Sequence, residues 1–184
     1  GGDAGDRRGV ATGAGIDDGG ALADADSPVP ADAFSFCRSP LPSAMLAAGE
    51  ALAPADAARI REVLAGRRTL VLAGEGACST LVEARDMVAW AKRCGFPLLA
   101  DPLSGLRCVD DPCVIDAYDA VFGQDGCPLP DAVIRFGRYP VSKRATMRLA
   151  AARPFNIVVD AGETRDYNAA TDWFVASTPL GFAR

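Results

Sequence analysis

Short apolar runs alternate with amphipathic stretches along most of this chain. Thr69-Leu-Val-Leu-Ala73 is apolar throughout, the mark of a strand buried on both faces. Phe96 to Ala100, Ala132 to Phe136, Asn156 to Val159 and Trp173 to Ala176 repeat that signal. Between them, apolar residues recur at helical spacing. Pro54, tolerated in a first turn, opens a helix with Ala57, Ile60 and Leu64 on one face, and Gly66 stops it. Ser79 is placed to cap a second helix to Arg93, with Leu81, Ala84, Val88 and Ala91 inward and Gly95 beyond its end. Pro112 opens a third, carrying Val114, Ala117, Tyr118 and Val121. A fourth runs from Ser142 to about Ala152.

Buried strands alternating with amphipathic helices predict an α/β fold. Right-handed crossovers make it a three-layer, doubly wound parallel sheet, Rossmann-like in architecture. Residues 41–184 are expected to form this single domain. Residues 1–40, rich in Gly, Ala, Asp and Pro, show neither period and read as a flexible acidic linker. In such folds ligands gather beyond the carboxyl ends of the strands. Four segments fall there: Gly74–Ser79, Asp101–Arg107, Gly137–Arg144 and Asp160–Asp166.

Composition narrows the chemistry. The chain has 184 residues, a net charge of −5 and no histidine. The acidic balance argues against nucleic acid as the main partner. Without histidine, Ser-His-Asp and Cys-His catalysis and His-bearing zinc sites are excluded. The six cysteines form no Cys-x-x-Cys pair. They read as reduced packing residues of a cytoplasmic protein, with Cys108 and Cys113 a weak metal or disulfide candidate. No apolar run approaches the roughly 20 residues that span a bilayer. The chain begins Gly-Gly and reads as part of something longer.

Gly74-Glu-Gly-Ala-Cys-Ser79 follows a strand and precedes a helix, as a dinucleotide fingerprint does, and Asp101 lies where a ribose-binding acid would. Yet Glu75 would set a carboxylate beside the pyrophosphate, so a tight turn without a cofactor is the preferred reading. Asp101-Pro-Leu-Ser-Gly-Leu-Arg107 is either an ordered connection or, through Ser104 and Arg107, the rim of a ligand cleft. Lys143 and Arg144 sit in the first turn of a helix, where cations oppose the macrodipole by roughly 0.3–1 kcal/mol each. With Ser142 as the cap and free amides nearby, they form a carboxylate or phosphate site, or else they are solvated surface charges. Arg138 either extends this cationic patch or pairs with an acid. No set of residues offers nucleophilic or general acid–base catalysis.

Four segments carry a resemblance. They are Pro97-Leu-Leu-Ala-Asp-Pro-Leu-Ser-Gly-Leu-Arg107, Tyr118-Asp119, Pro130-Asp-Ala-Val-Ile-Arg-Phe-Gly-Arg-Tyr-Pro-Val-Ser-Lys143 and Val158-Val-Asp160. In this order and spacing the chain resembles the central domain of the MenD family. These are the thiamine-diphosphate-dependent SEPHCHC synthases of menaquinone biosynthesis. The resemblance implies a three-domain, oligomeric transferase with an NAD/FAD-type central domain that holds no nucleotide or other cofactor. Flanking pyrimidine-binding and diphosphate-binding domains would hold thiamine diphosphate and Mg²⁺. The full-length enzyme would decarboxylate 2-oxoglutarate and add the succinyl unit to isochorismate. It also implies that Lys143 and Arg144 meet substrate carboxylates, and that this chain alone is inactive. Arg138 and Arg107 are read as lining a neighbouring anion site, of regulatory character. Two rivals stand beside this reading: a nucleotide-binding regulatory module, and the central domain of another thiamine enzyme.

Overall fold

The computed structural model describes residues 51–161 and 166–184. The linker expected over residues 1–40 therefore lies outside the described residues, as does part of the Asp160–Asp166 segment. Six strands form one parallel sheet: β1 (Thr69–Ala73), β2 (Leu98–Ala100), β3 (Val114–Ile115), β4 (Ala132–Phe136), β5 (Phe155–Val159) and β6 (Trp173–Val175). Their order is β3-β2-β1-β4-β5-β6. The five helices are α1 (Pro54–Leu64), α2 (Leu81–Cys94), α3 (Tyr118–Phe122), α4 (Lys143–Ala152) and α5 (Pro179–Ala183).

Alternation along β1 shows how the sheet divides two cores. Val71 and Ala73 face the larger cluster, with Ile60 of α1, Met87, Val88 and Trp90 of α2, and Phe182 of α5. Leu70 and Leu72 face the smaller one, with Tyr118 and Phe122 of α3 and Ala145 of α4. The molecule is thus the expected three-layer α/β sandwich. Trp90 anchors the larger core with edge-to-face contacts to Phe96, Phe136 and Phe182 at 5.7–6.0 Å, a geometry worth about 0.5–1.5 kcal/mol per pair beyond burial. Leu52 donates its amide to the Gly181 carbonyl (3.3 Å), so the first and last described segments meet.

Three local expectations need correction. The helix expected to open at Pro112 is replaced by the edge strand β3, in register with Leu98 and Leu99, and the helix proper begins only at Tyr118. The Asp111 carboxylate, held by Lys92 at 2.7 Å, accepts the Cys113 amide at 2.9 Å and turns the chain. The β-branched Val114-Ile115 pair then suits an extended backbone. Second, Thr80 and not Ser79 caps α2, because Thr80 and Glu83 complete a reciprocal capping box. Leu81, expected inward, is 45% exposed, and the buried face runs through Ala84, Met87, Val88, Trp90 and Ala91. Third, α5 had no counterpart in the pattern. Thr178 caps it and Pro179 starts it, a signal that a five-residue helix is too short to reinforce by period.

Candidate functional site

The strand order reverses between β1 and β4, where ligands of doubly wound folds commonly sit. Here that crevice is stitched shut by backbone. Gly74 donates to the Phe136 carbonyl (2.9 Å) and Arg138 to the Glu75 carbonyl (3.0 Å). A side chain at Gly74 would run into the Arg138 carbonyl, and one at Gly137, which sits at φ +68, would run into the Glu75 carbonyl. Most other amides of the glycine turn are also spent. Gly76 donates to Leu103 (3.3 Å), Ala77 to Gly74 (3.2 Å) and Cys78 to Ser104 (2.9 Å). Ser79 and Thr80 donate to the Glu83 carboxylate at 2.7 and 3.1 Å. The fingerprint-like segment is a closed turn with most of its donors committed.

Open space lies one position away. A cleft of about 550 Å³ separates the ends of β2 and β3 from the start of α4. Arg107, Lys143 and Arg144 line it, with Asp116, Tyr118, Asp119 and Ser142. Its walls are held by Asp101, which is fully buried. One Asp101 oxygen accepts the Tyr118 hydroxyl (3.0 Å) and the Val141 amide (2.8 Å); the other accepts the Leu103 amide (3.3 Å). Burial, then the bond to Asp101, pushes the Tyr118 phenol far above its usual range. One carboxylate thereby joins the end of β2, the start of α3 and the approach to α4.

The cations differ in how they are held. Arg107 donates through Nε to the Ala100 carbonyl (3.0 Å) and through Nη2 to the Asp116 carbonyl (2.8 Å), which pins its plane to the wall. Ser142 accepts the Ala145 amide at 3.0 Å and so caps α4, while its hydroxyl donates to Asp119 Oδ1 at 2.5 Å. Arg144 approaches Asp119 Oδ2 at 3.7 Å, too long for a hydrogen bond. The Lys143 side chain is exposed and has no hydrogen bond or ion pair to another described residue.

Two other candidates fall elsewhere. Ser104 is fully buried; it donates to the Asp101 carbonyl (2.7 Å) and accepts the Leu106 amide (3.2 Å), so it braces the loop and does not reach the rim. Arg138 lies over the closed crevice, 3.2 Å from Glu75, and is not among the residues lining the cleft. Asp101 does not sit as a ribose acceptor, since its oxygens are taken by the protein. Cys78, Cys94, Cys108, Cys113 and Cys127 are free thiols, so Cys108 and Cys113 form no disulfide.

Sequence reasoning missed Asp119 as a contact of the cleft cations, and it missed a buried arginine. Arg135, 2% exposed at the end of β4, stacks on the Tyr139 ring at 4.1 Å and donates to the Gly137 carbonyl at 2.9 Å. Burial lowers its pKa, opposed by Tyr139, Asp166 and Asp160. Tyr139 in turn donates to Asp166 (2.8 Å), and burial followed by that bond pushes its phenol up to about 12. A charged residue inside an apolar strand was the available signal.

No protein-family model matches the chain, but individual curated proteins do. It is 38% identical over 137 residues to the 2-succinyl-5-enolpyruvyl-6-hydroxy-3-cyclohexene-1-carboxylate synthase of Geobacillus thermodenitrificans, covering 70% of this chain and 23% of that protein. The synthase of the same name from Halobacterium salinarum is 38% identical over 121 residues, 64% of this chain and 20% of its own length. That of Lactococcus lactis is 36% identical over 127 residues, with shares of 66% and 22%. The chain thus spans between a fifth and a quarter of the length of these relatives.

Proposed function

Because the chain carries a domain of the 2-succinyl-5-enolpyruvyl-6-hydroxy-3-cyclohexene-1-carboxylate synthase family, we propose that residues 41–184 are the central domain of such an enzyme and supply its active site with cations for substrate carboxylates. The whole protein, on this reading, is a cytoplasmic, oligomeric, thiamine-diphosphate-dependent transferase. It decarboxylates 2-oxoglutarate and joins the succinyl unit to isochorismate in menaquinone biosynthesis.

One observation carries the reading for this chain: Arg107, Lys143 and Arg144 converge on a single cleft at the carboxyl edge of the sheet. Both substrates are carboxylate anions, and a cleft with three cations against Asp116 and Asp119 has a local excess of positive charge on an acidic chain. Lys143 offers three rotatable donors and Arg144 a planar fork suited to bidentate binding. Their work is to hold and orient an acid. Arg138 belongs, if to any anion site, to a separate one over Glu75.

Thiamine diphosphate, when bound, supplies the carbanion chemistry of decarboxylation, and Mg²⁺ anchors its diphosphate. The described residues suit neither group. Among the described residues no three His, Cys, Asp or Glu side chains gather where they could hold a metal ion. The turn that could have cradled a diphosphate has most of its amides committed. Cofactor and metal are therefore assigned to flanking pyrimidine-binding and diphosphate-binding domains. The same closed turn speaks against the nucleotide-binding alternative.

The test is Lys143→Met in the full-length enzyme. The Michaelis constant for one acidic substrate should rise about tenfold or more, with the thermal midpoint nearly unchanged, because an exposed cation contributes little stability. Wild-type constants for both substrates would refute the assignment.

A further inference from the structure

Asp119 stands inside the cationic cleft, where a carboxylate works against the binding of acids. Its Oδ1 is anchored by the Ser142 hydroxyl at 2.5 Å, and Ser142 is itself buried at the start of α4. The carboxylate therefore cannot follow a neighbour that moves. Its Oδ2 faces Arg144 Nη1 at 3.7 Å, in an exposed pair with no hydrogen bond. Arg144 also has a seat against α3: a Cβ at Gly123 would lie 2.5 Å from its Nη1 and 3.3 Å from its Cδ. The arginine is thus parked on α3, beside Asp119, by contacts that solvent readily replaces. Arg107 is fixed by two carbonyls, which leaves Lys143 as the cation without a described partner.

We propose that Asp119 is a specificity-determining residue, an internal competitor that holds Arg144 until an acid with a second carboxylate takes its place. This rests on the reading that Lys143 and Arg144 bind substrate carboxylates. A monoanion satisfies Lys143 and leaves Arg144 with Asp119. A dianion of succinate length reaches both cations and displaces Asp119 from Arg144. Asp119 thus raises the concentration at which a dianion binds and leaves a monoanion held by Lys143 nearly untouched. The arrangement sets how far a second carboxylate improves binding, by making that group compete for Arg144.

The experiment titrates the full chain at low salt with succinate and with its monoamide, succinamate, followed by calorimetry. Asp119→Asn keeps an oxygen acceptor for the Ser142 hydroxyl and removes the charge. It should tighten succinate binding about threefold to tenfold, and tighten succinamate by a smaller factor, so that the preference for the dianion widens. In an Arg144→Met background the same change should give a clearly smaller gain, which a purely structural role for Asp119 would not produce. Gly123→Ala, which pushes Arg144 off its seat, should also tighten succinate. If Lys143→Met weakens succinate but Asp119→Asn leaves it unchanged or weaker, the competitor role is refuted and the carboxylate site stands. If Lys143→Met leaves succinate binding as it was, or the wild-type chain binds neither acid, both fall.

Discussion

Removing the Asp101 carboxylate would strand the Tyr118 hydroxyl and the amides of Val141 and Leu103 without their common acceptor. A buried donor left without a partner costs roughly 1–3 kcal/mol. Asp101→Ala should therefore destabilise the protein by about 3 kcal/mol or more in urea unfolding, and Tyr118→Phe by only about 1 kcal/mol. Equal losses for the two would show that Asp101 does not tie the three segments together. Lys143→Met should behave oppositely, with binding lost and folding kept. This contrast separates residues that build the cleft from those that face into it. Lys143, Arg144 and Arg107 were visible in the sequence as cations beyond strand ends, since charge and position are local properties. Two of Asp101's partners lie 17 and 40 positions away, and Asp119's hydroxyl partner 23, so no spacing rule reports them.

Strands β1 and β4 lie side by side, and their starts are clamped by charge. Asp131 accepts the Arg68 amide at 3.0 Å, Nε at 2.9 Å and Nη2 at 2.8 Å. The side-chain bond from Arg68, then its amide, holds the Asp131 carboxyl well below the usual carboxylate range. The folded state thus binds this proton less readily than the unfolded chain, whose aspartate titrates near about 3.9. The contribution is present above that pH and is lost as pH falls through the depressed folded value. The thermal midpoint should drop between about pH 4 and 2, and less steeply in Asp131→Asn; parallel curves would show that the clamp is spent in solvent. Among the elements, the long apolar strands and α2 were legible because the apolar period and, for α2, the Gly95 stop agreed. Val114-Ile115 failed as a helix because a lysine 19 residues upstream holds the aspartate that turns the chain. Such a distant partner outweighs a local proline signal.

At the scale of the molecule, the division of labour proposed above gives this chain the substrate contacts and leaves the reaction to flanking domains. Arg107, Lys143 and Arg144 can hold acids, while no described group is placed to carry a cofactor metal. Purified chain mixed with 2-oxoglutarate, thiamine diphosphate and Mg²⁺ should release no carbon dioxide above the protein-free rate; turnover would overturn the division of labour proposed above. Doubly wound order was readable in the sequence, because five buried strands separated by helices leave few topologies. The closure of the crevice was not, since it depends on Arg138 and Glu75 meeting across 63 positions. The bond from Leu52 to Gly181 has a practical meaning for the longer protein proposed above. The first and last described segments lie side by side, like the two wires of a plug. Engineers could replace everything between those positions with a few glycines and leave the neighbours at their original separation, giving a host stripped of its acid-gripping insert for direct comparison with the parent.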